Sequence, residues 1–157
     1  MTPQENFWTR TVVELKLHLH LPVTVETTIA ETIRGMQEEK TGAALVFDKV
    51  GGNLVGIVTT GDIMHSFIAT TLKGDKTVEA IMTRNPMTIP HTTTILEVFR
   101  TFYKGRFRHV PVTGEDGKVV GLLSVRRLMR YLAEQFPAEV LNQPPDRTLI
   151  PEHKHGG

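Results

Sequence analysis

The chain has 157 residues, of which 39% are hydrophobic and 22% charged, and its formal net charge at pH 7 is +1. This composition is typical of a soluble globule rather than a disordered chain, and the absence of cysteine excludes disulfide bonds, zinc–thiolate sites and a cysteine nucleophile. No apolar run is long enough to span a membrane, and the N-terminal residues lack the apolar core of a signal peptide, so we expect a cytoplasmic protein.

The chain contains two similar halves. Gly56 and Gly121 are 65 positions apart, as are Thr59 and Ser124, and similar apolar residues recur upstream at spacings of 64 to 66. A unit of this length is longer than the repeats that stack in solenoids. We therefore expect the halves to pack face to face, burying apolar faces that neither can bury alone and leaving a cleft between them.

The first half predicts a helix between short strands. A strand at Val23–Val25 precedes a helix at Ile29–Lys40, which has apolar residues spaced by three and four positions. Thr27 or Thr28 can cap this helix, and Gly42 ends it. The remaining elements of this half are a buried strand, a hairpin turn, a second strand and a helix: Ala43–Phe47, residues 49–53, Leu54–Thr59, and Thr60 to about Leu72.

The second half repeats this order after a linker at residues 72–76. Its elements are a short strand, a helix, a strand, a turn, a strand and a helix: Met87–Ile89, Ile95–Lys104, His109–Val112, residues 114–117, Val119–Ser124 and Val125–Phe136. Each half is therefore βαββα, which predicts an α/β (α+β) fold with helices on one face of a small sheet. Residues 143–157, rich in proline and ending in two glycines, are expected to form a flexible tail.

Polar side chains follow the last strand of the first half, at the mouth of the expected cleft. Asp62 lies in the first turn of a helix, where a carboxylate is favoured, and it can accept two ribose hydroxyls. Thr59 turns its hydroxyl toward the same mouth, and free backbone N–H groups of the first turn can meet an anion. The alternative is that Thr59 or Thr60 is a plain N-cap and Asp62 supports the first turn.

A basic pair precedes a strand of the second half. Arg108 and His109 supply phosphate donors, and the guanidinium offers a planar fork for oxyanions. The first half carries no charge at the corresponding positions. The alternative is a solvated surface cluster, since Lys104 and Arg106 lie close by in the sequence. The first half thus offers a ribose acceptor and the second a phosphate clamp, which predicts one competent nucleotide site built across the repeats.

Other positions around the cleft have alternative roles. Thr24, Val25 and Val58 are candidates to line the part of the cleft that holds the base of a nucleotide, and they are equally candidates for the apolar core. In the second half Arg127 stands where the first half has Asp62. The second cleft therefore lacks a ribose acceptor. Its candidate residues hold an anion or nothing: Thr88, Ser124 and Arg127.

Several chemistries have little support. His18 and His20 alternate along an extended segment, but a metal site needs a third ligand that the pattern does not provide, so we expect exposed histidines and no metal. The chain has no Gly-x-Ser-x-Gly, no Gly-x-Gly-x-x-Gly and no Walker loop. We therefore expect a protein that is not an enzyme.

The order of these motifs resembles a tandem pair of CBS domains, a family named for cystathionine β-synthase. The resemblance rests on residues 56–62, on Arg108–Val112, and on residues 77–83 leading into 86–89. It covers about residues 11–136, with one repeat at 11–72 and the other at 77–136. It implies a disc-like, pseudo-two-fold pair that binds adenine nucleotides or related ligands in its cleft, with Pro111 among the binding residues, and a regulatory role.

We therefore expect a module that senses AMP, ADP, ATP or a related adenosyl ligand without a required cofactor. It would act on a separate effector protein, with no membrane contact. We also expect a homodimer, because the resemblance implies one and because some residues suggest apolar helix faces beyond those needed inside one pair: Val12, Val13, Leu15, Leu128, Met129 and Leu132. The alternative is a nucleic-acid or protein interaction module that uses the basic second half and no small ligand. Residues 77–157 carry a net charge of +3, against −2 for residues 1–76.

Overall fold

The computed structural model describes residues 3–69 and 75–136. Within these ranges the helices are α1 Pro3–Thr9, α2 Ile29–Glu39, α3 Thr60–Ala69, α4 Ile95–Lys104 and α5 Val125–Gln135. The strands are β1 Pro22–Thr24, β2 Ala43–Phe47, β3 Leu54–Thr59, β4 Thr83–Arg84, β5 Ile89–Pro90, β6 His109–Thr113 and β7 Val119–Ser124. Short 3-10 turns lie at Val12–Leu15 and Val78–Ala80. The strands and α1–α4 belong to a compact unit that ends at Val125, and the rest of α5 belongs to a second unit.

The strands form two small sheets of matching topology. The first has the order β1-β2-β3-β4 and the second β5-β6-β7. In each, the first pair is parallel and the next antiparallel. The predicted mixed fold of two βαββα repeats is confirmed. The sequence did not predict α1, β4 or the 3-10 turns. The predicted tail at 143–157 lies outside the described residues, as do residues 70–72 of the helix predicted from Thr60.

Strand β2 is apolar along its length because both of its faces are covered. Ala44 and Val46 pack in a core with residues of α2 and α3. Ala43 and Leu45 pack on the opposite face, together with Leu122 of the second sheet. Since side chains alternate between the two faces of a strand, one run of aliphatic residues serves both the helix side and the sheet–sheet interface. The face-to-face packing of the halves is thus present.

Each sheet is extended by a segment from the beginning of the other repeat. β4, which lies near the start of the second repeat, pairs with β3 and places Arg84 opposite Gly56. In the second sheet the N–H of Leu122 donates to the carbonyl of His18 at 3.2 Å. His18 lies near the start of the first repeat, before β1. The two repeats are therefore interlocked by main-chain hydrogen bonds rather than only packed against each other.

Helices α2 and α4 each begin with a hydrogen bond to the segment that precedes the other repeat. The N–H of Ile29 donates to the carbonyl of Lys76 at 2.8 Å, and the N–H of Ile95 donates to that of Arg10, also at 2.8 Å. Thr11, the first residue of the predicted first repeat, forms a bridge with Thr94 of the second. The internal similarity of the chain thus includes the segments before each repeat.

Both of these helices begin with a reciprocal cap. Thr28 accepts from the N–H of Glu31 at 3.1 Å, and its own N–H donates to the Glu31 carboxylate at 2.9 Å. Thr94 and Glu97 repeat the arrangement at 3.3 and 2.9 Å. The hydrogen bond from the cap residue's backbone lowers the pKa of each glutamate. The expectation that a threonine caps the first helix is confirmed, with Thr28 in that position.

Gly56 and Gly121, which are 65 residues apart, lie where a segment of the other repeat crosses each sheet. A Cβ added to Gly121 would lie 2.5 Å from the Cβ of Leu17 and 3.1 Å from its carbonyl carbon. A Cβ on Gly56 would lie 2.5 Å from the sulfur of Met82 and 3.1 Å from the carbonyl oxygen of Thr83. A side chain at Gly121 would meet the Cβ and backbone of Leu17, whereas one at Gly56 would first require the Met82 side chain to move.

We therefore predict that Gly121→Ala destabilises the protein by about 1–3 kcal/mol, the cost typical of an overpacked site, because the backbone at Leu17 must move. Gly61→Ala is the matched control, since its Cβ would lie 3.5 Å from the nearest atom, Oγ1 of Thr59. Denaturant unfolding of both variants and the parent measures the difference. Equal midpoints for the two variants would contradict the crossing as described.

Candidate functional site

A cavity of about 510 Å³ lies in the first unit and is lined by residues of both repeats. Its lining residues in the first repeat belong to the end of β3 and the first turn of α3. Those in the second repeat include the loop that leads into β6. The residues between β4 and β5 also line it. This cavity brings together four of the predicted site residues: Thr59, Asp62, Arg108 and His109.

The wall from α3 is organised by a reciprocal hydrogen bond. The N–H and the hydroxyl of Thr59 donate to Oδ2 of Asp62 at 2.9 and 3.0 Å, and the N–H of Asp62 donates back to Oγ1 of Thr59 at 3.2 Å. Thr59 therefore caps α3, as one of the two sequence interpretations proposed. No atom among the described residues donates a hydrogen bond to Oδ1 of Asp62. One oxygen of this half-buried carboxylate is therefore without a donor in the described part of the chain.

The expectation that free N–H groups of this turn meet an anion needs correction. The N–H of Thr60 donates to the carbonyl of Gly42 at 3.0 Å, and that of Asp62 is used by Thr59. The Gly61 N–H has no acceptor among the described residues. One donor of the first turn is therefore available, because packing against the loop after α2 uses another.

The opposite wall is basic. Arg106 and Arg108 both line the cavity and both are exposed. No carboxylate in the described part of the chain lies within 4 Å of either guanidinium. The carbonyl of Arg108 accepts from the N–H of Val125 at 3.0 Å, which ties this end of the loop to the end of β7. The sequence pattern assigned Arg106 to a solvated surface cluster. In the structure it lines the same cavity as Arg108 and His109, the predicted phosphate-binding pair.

His109 is half-buried at the first residue of β6, where it pairs with Ser124 of β7. A Cβ added to Gly42 would lie 3.8 Å from Cε1 of His109 and 3.8 Å from Oγ1 of Thr60. The imidazole and the first residue of α3 therefore both lie beside Gly42. Burial, with a smaller contribution from the Arg108 guanidinium, lowers the pKa of His109 below its usual value of 6.5. The ring is therefore neutral at pH 7.

The apolar part of the cavity consists of residues that sequence reasoning did not select: Ile57, Met64, Pro86, Met87 and Phe107. Strand alternation was the missed signal for Ile57, because Thr59 and Ile57 share a face of β3 and Val58 points the other way. Pro86 and Met87 were treated as part of a repeated strand motif. Their position in the cavity depends on the pairing of β4 with β3, which no local pattern predicts.

The residues proposed for the base slot do not line this cavity. Val58 is fully buried in the core between the first sheet and its helices, and Val25 packs against that core. Thr24 instead lines a separate cavity of about 940 Å³, together with Thr88 of the second repeat. Pro111 is buried in the middle of β6 and is paired with Leu122, so it supports the sheet.

The residues predicted for a second site belong to three different elements or loops. Thr88 lies in the larger cavity. Ser124 ends β7 opposite His109. Arg127 lies in α5, within the second unit.

His18 and His20 are both exposed, with ring centroids 6.1 Å apart. Nδ1 of His20 is 4.0 Å from a carboxylate oxygen of Glu39. Across the described residues, no group of three or more histidine, aspartate or glutamate side chains is placed to hold a metal ion. The helices in the same ranges include none with the length and apolar character of a membrane span.

The family model for the CBS domain matches the chain twice, at residues 19–69 and 78–134. The chain belongs to the CBS domain family. The matches cover both repeats, including the start of α3 and the loop before β6 that form the two polar walls of the cavity.

Individual relatives agree with this assignment. The CBS domain-containing protein CBSCBSPB3 of Arabidopsis thaliana is 36% identical over 121 residues, which are 76% of this chain and 21% of that protein. The chain thus spans about a fifth of that relative's length. A conserved protein of Pyrococcus horikoshii has a similar structure, with a TM-score of 0.74, 30% identity, and coverage of 83% of this chain and 97% of that one. CBSX2 of Arabidopsis thaliana, in complex with AMP, has a TM-score of 0.65 and 26% identity, with coverage of 79% and 96%.

The low pKa of His109 predicts a pH-dependent stability. At a pH somewhat below 6.5 the unfolded chain binds a proton at this residue and the folded, ligand-free protein does not. The free energy of unfolding should therefore fall as the pH drops below about 6.5, and the fall should be smaller in His109→Gln. Denaturant unfolding at a series of pH values between about 7.5 and 5.5 measures both proteins.

The capping glutamates act in a different pH range. Their pKa values lie below 4.5, so the stability that they contribute is lost only at lower pH. A parallel pH dependence in the parent and in His109→Gln would contradict the assignment of the effect to His109.

Proposed function

We propose that this CBS pair is a regulatory module that binds an adenine nucleotide or a related adenosyl ligand in the cavity between Asp62 and Arg108. The observation that carries the proposal is the arrangement of the cavity. A carboxylate from one repeat and guanidinium groups from the other line the same space, which also has an apolar wall. The similarity to CBSX2, whose structure contains AMP, supports the choice of ligand class.

Each part of a nucleotide has a complementary group in this cavity. Oδ1 of Asp62 accepts hydrogen bonds from the ribose, while Thr59 holds the other carboxylate oxygen in place. The apolar wall that includes Met64 and Met87 covers the base. Arg108, His109 and the N–H of Gly61 contact the phosphate. An anion bound there favours the imidazolium form of His109, so binding takes up a proton and tightens as the pH falls.

The ribose acceptor has no counterpart in the second repeat, where Arg127 occupies the corresponding sequence position. We therefore propose one strong nucleotide site per chain. The weaker anion site that the sequence predicts at Thr88, Ser124 and Arg127 stays a prediction.

The first test is Asp62→Ala, which removes the ribose acceptor. A hydrogen bond to a charged group is worth about 1.5–3 kcal/mol, so AMP affinity should fall roughly ten- to a hundredfold. Calorimetry measures the affinity and should give one site per chain in the parent. Asp48→Ala is the control, because Asp48 receives a hydrogen bond from Asn53 in the β2–β3 turn and does not line the cavity. Unchanged affinity in Asp62→Ala would favour the interaction-module alternative.

We also propose that the chain forms a homodimer, through a surface different from the one that the sequence suggested. Of the residues that the sequence offers for an interface, Val12, Leu15 and Leu128 are buried within the chain, whereas Val13 and Met129 are exposed. α3 instead exposes Met64, Phe67 and Ile68, and its one Asp, Glu, Lys or Arg residue is Asp62 in the first turn. A second copy suits this face, because pairing two such helices about a two-fold axis buries apolar surface without opposing like charges along the helix.

Ile68→Glu should therefore shift the protein from dimer to monomer, since it places a charge in the apolar contact. Val50→Glu is the matched control, because Val50 is 92% exposed, compared with 88% for Ile68, but lies in the β2–β3 turn. Light scattering at low micromolar concentration reports the mass. A monomeric parent, or a dimer unaffected by Ile68→Glu, would show that this face is not the interface.

A further inference from the structure

We infer that the cavity prefers adenosine ligands with two or more phosphates over the monophosphate, and that Arg106 binds the second phosphate. This inference rests on the proposed function, because it concerns the same cavity. It adds a residue that the sequence motifs did not select and a property, the number of phosphates, that membership of the family does not specify.

The first step concerns charge. Arg106 and Arg108 place two permanent positive charges on one wall, and no carboxylate of the described chain lies within 4 Å of either. The acidic group of the cavity, Asp62, is on the α3 wall and is hydrogen-bonded to Thr59. Both guanidinium groups contribute positive potential at this wall, which attracts an anionic ligand. A more highly charged ligand gains more from this arrangement.

The second step concerns the order of the two arginines. Arg108 adjoins β6 and its carbonyl is hydrogen-bonded to Val125, so it lies at the end of the sheet. Arg106 is two residues farther from the strand. Phe107 lies between them, half-buried, with its ring centroid 6.1 Å from that of Phe102 in α4. This ring contact anchors the middle of the loop while both arginines line the cavity.

The number of phosphate oxygens limits how many donors one phosphate can meet. In ADP the phosphate next to the ribose has two non-bridging oxygens, whereas the terminal phosphate has three strongly accepting oxygens. In the proposed site the phosphate next to the ribose already meets three donors: the guanidinium of Arg108, the imidazole of His109 and the N–H of Gly61. Arg106 therefore needs acceptors of its own, and the next phosphate of the chain supplies them. The match of guanidinium and phosphate geometry makes this contact bidentate.

The test compares adenosine, AMP, ADP and ATP by calorimetry, with EDTA present so that each nucleotide binds without a metal ion. The parent should bind ADP about tenfold more tightly than AMP, the value of one charge-assisted contact. Arg106→Gln should remove that difference while leaving AMP affinity within about twofold of the parent. Arg108→Gln should weaken every phosphorylated ligand and spare adenosine. Lys104→Gln removes the same charge at an exposed residue outside the cavity, and it should retain the preference for ADP.

Three results would overturn the inference alone. These are equal affinity of the parent for AMP and ADP, an equal loss for AMP and ADP in Arg106→Gln, and the same effect in Lys104→Gln as in Arg106→Gln. The last would mean that net charge, rather than a contact, sets the preference. If none of the four ligands binds, the proposed function fails and the inference fails with it. The thermal midpoints of the variants, measured in parallel, verify that each is folded.

Discussion

The crossing of the main chain over Gly56 and Gly121 is the constraint on which the rest of this structure depends. At each crossing, a segment from the beginning of one repeat lies against the sheet of the other. The crossing at Gly56 has a direct consequence for the candidate site. It holds β4 beside β3, and the residues that follow β4, including Pro86 and Met87, then line the cavity at the end of β3. The fold and the site are thus set by the same contact.

The candidate site also depends on both repeats for its chemistry. The first repeat supplies a carboxylate, Asp62, and the second supplies two guanidinium groups and the imidazole of His109. Neither repeat carries both parts. A ligand that contacts both walls would stabilise the interlocked pair more than either half, because binding energy is gained only in the folded arrangement. Ligand occupancy and the stability of the pair are therefore expected to be linked.

Helix α3 connects this cavity to the protein surface. Its first turn holds Asp62 in a hydrogen-bonded cap, and its following turns expose Met64, Phe67 and Ile68. Met64 belongs to both regions, since it lines the cavity and is 61% exposed. A change in occupancy of the cavity and a change in what covers α3 thus act on one short helix. This gives the proposed regulatory role a physical basis without requiring a movement of the sheets.

The amino-acid sequence by itself determined the repeat, the bounds of most helices and strands, the Thr28 cap, and the selection of Asp62 and Arg108 from different halves. These features follow from local rules: periodicity, capping and the duplication of a motif. Only the tertiary structure decided which residues complete the cavity. Ile57 lines the cavity and Val58 does not, because neighbouring residues of a strand point to opposite faces. The N–H of Thr60 is not available to a ligand, because the carbonyl of Gly42 accepts it. Pro86, Met87 and Arg106 reach the cavity through pairings between segments far apart in the chain, and local sequence patterns carry no information about such pairings.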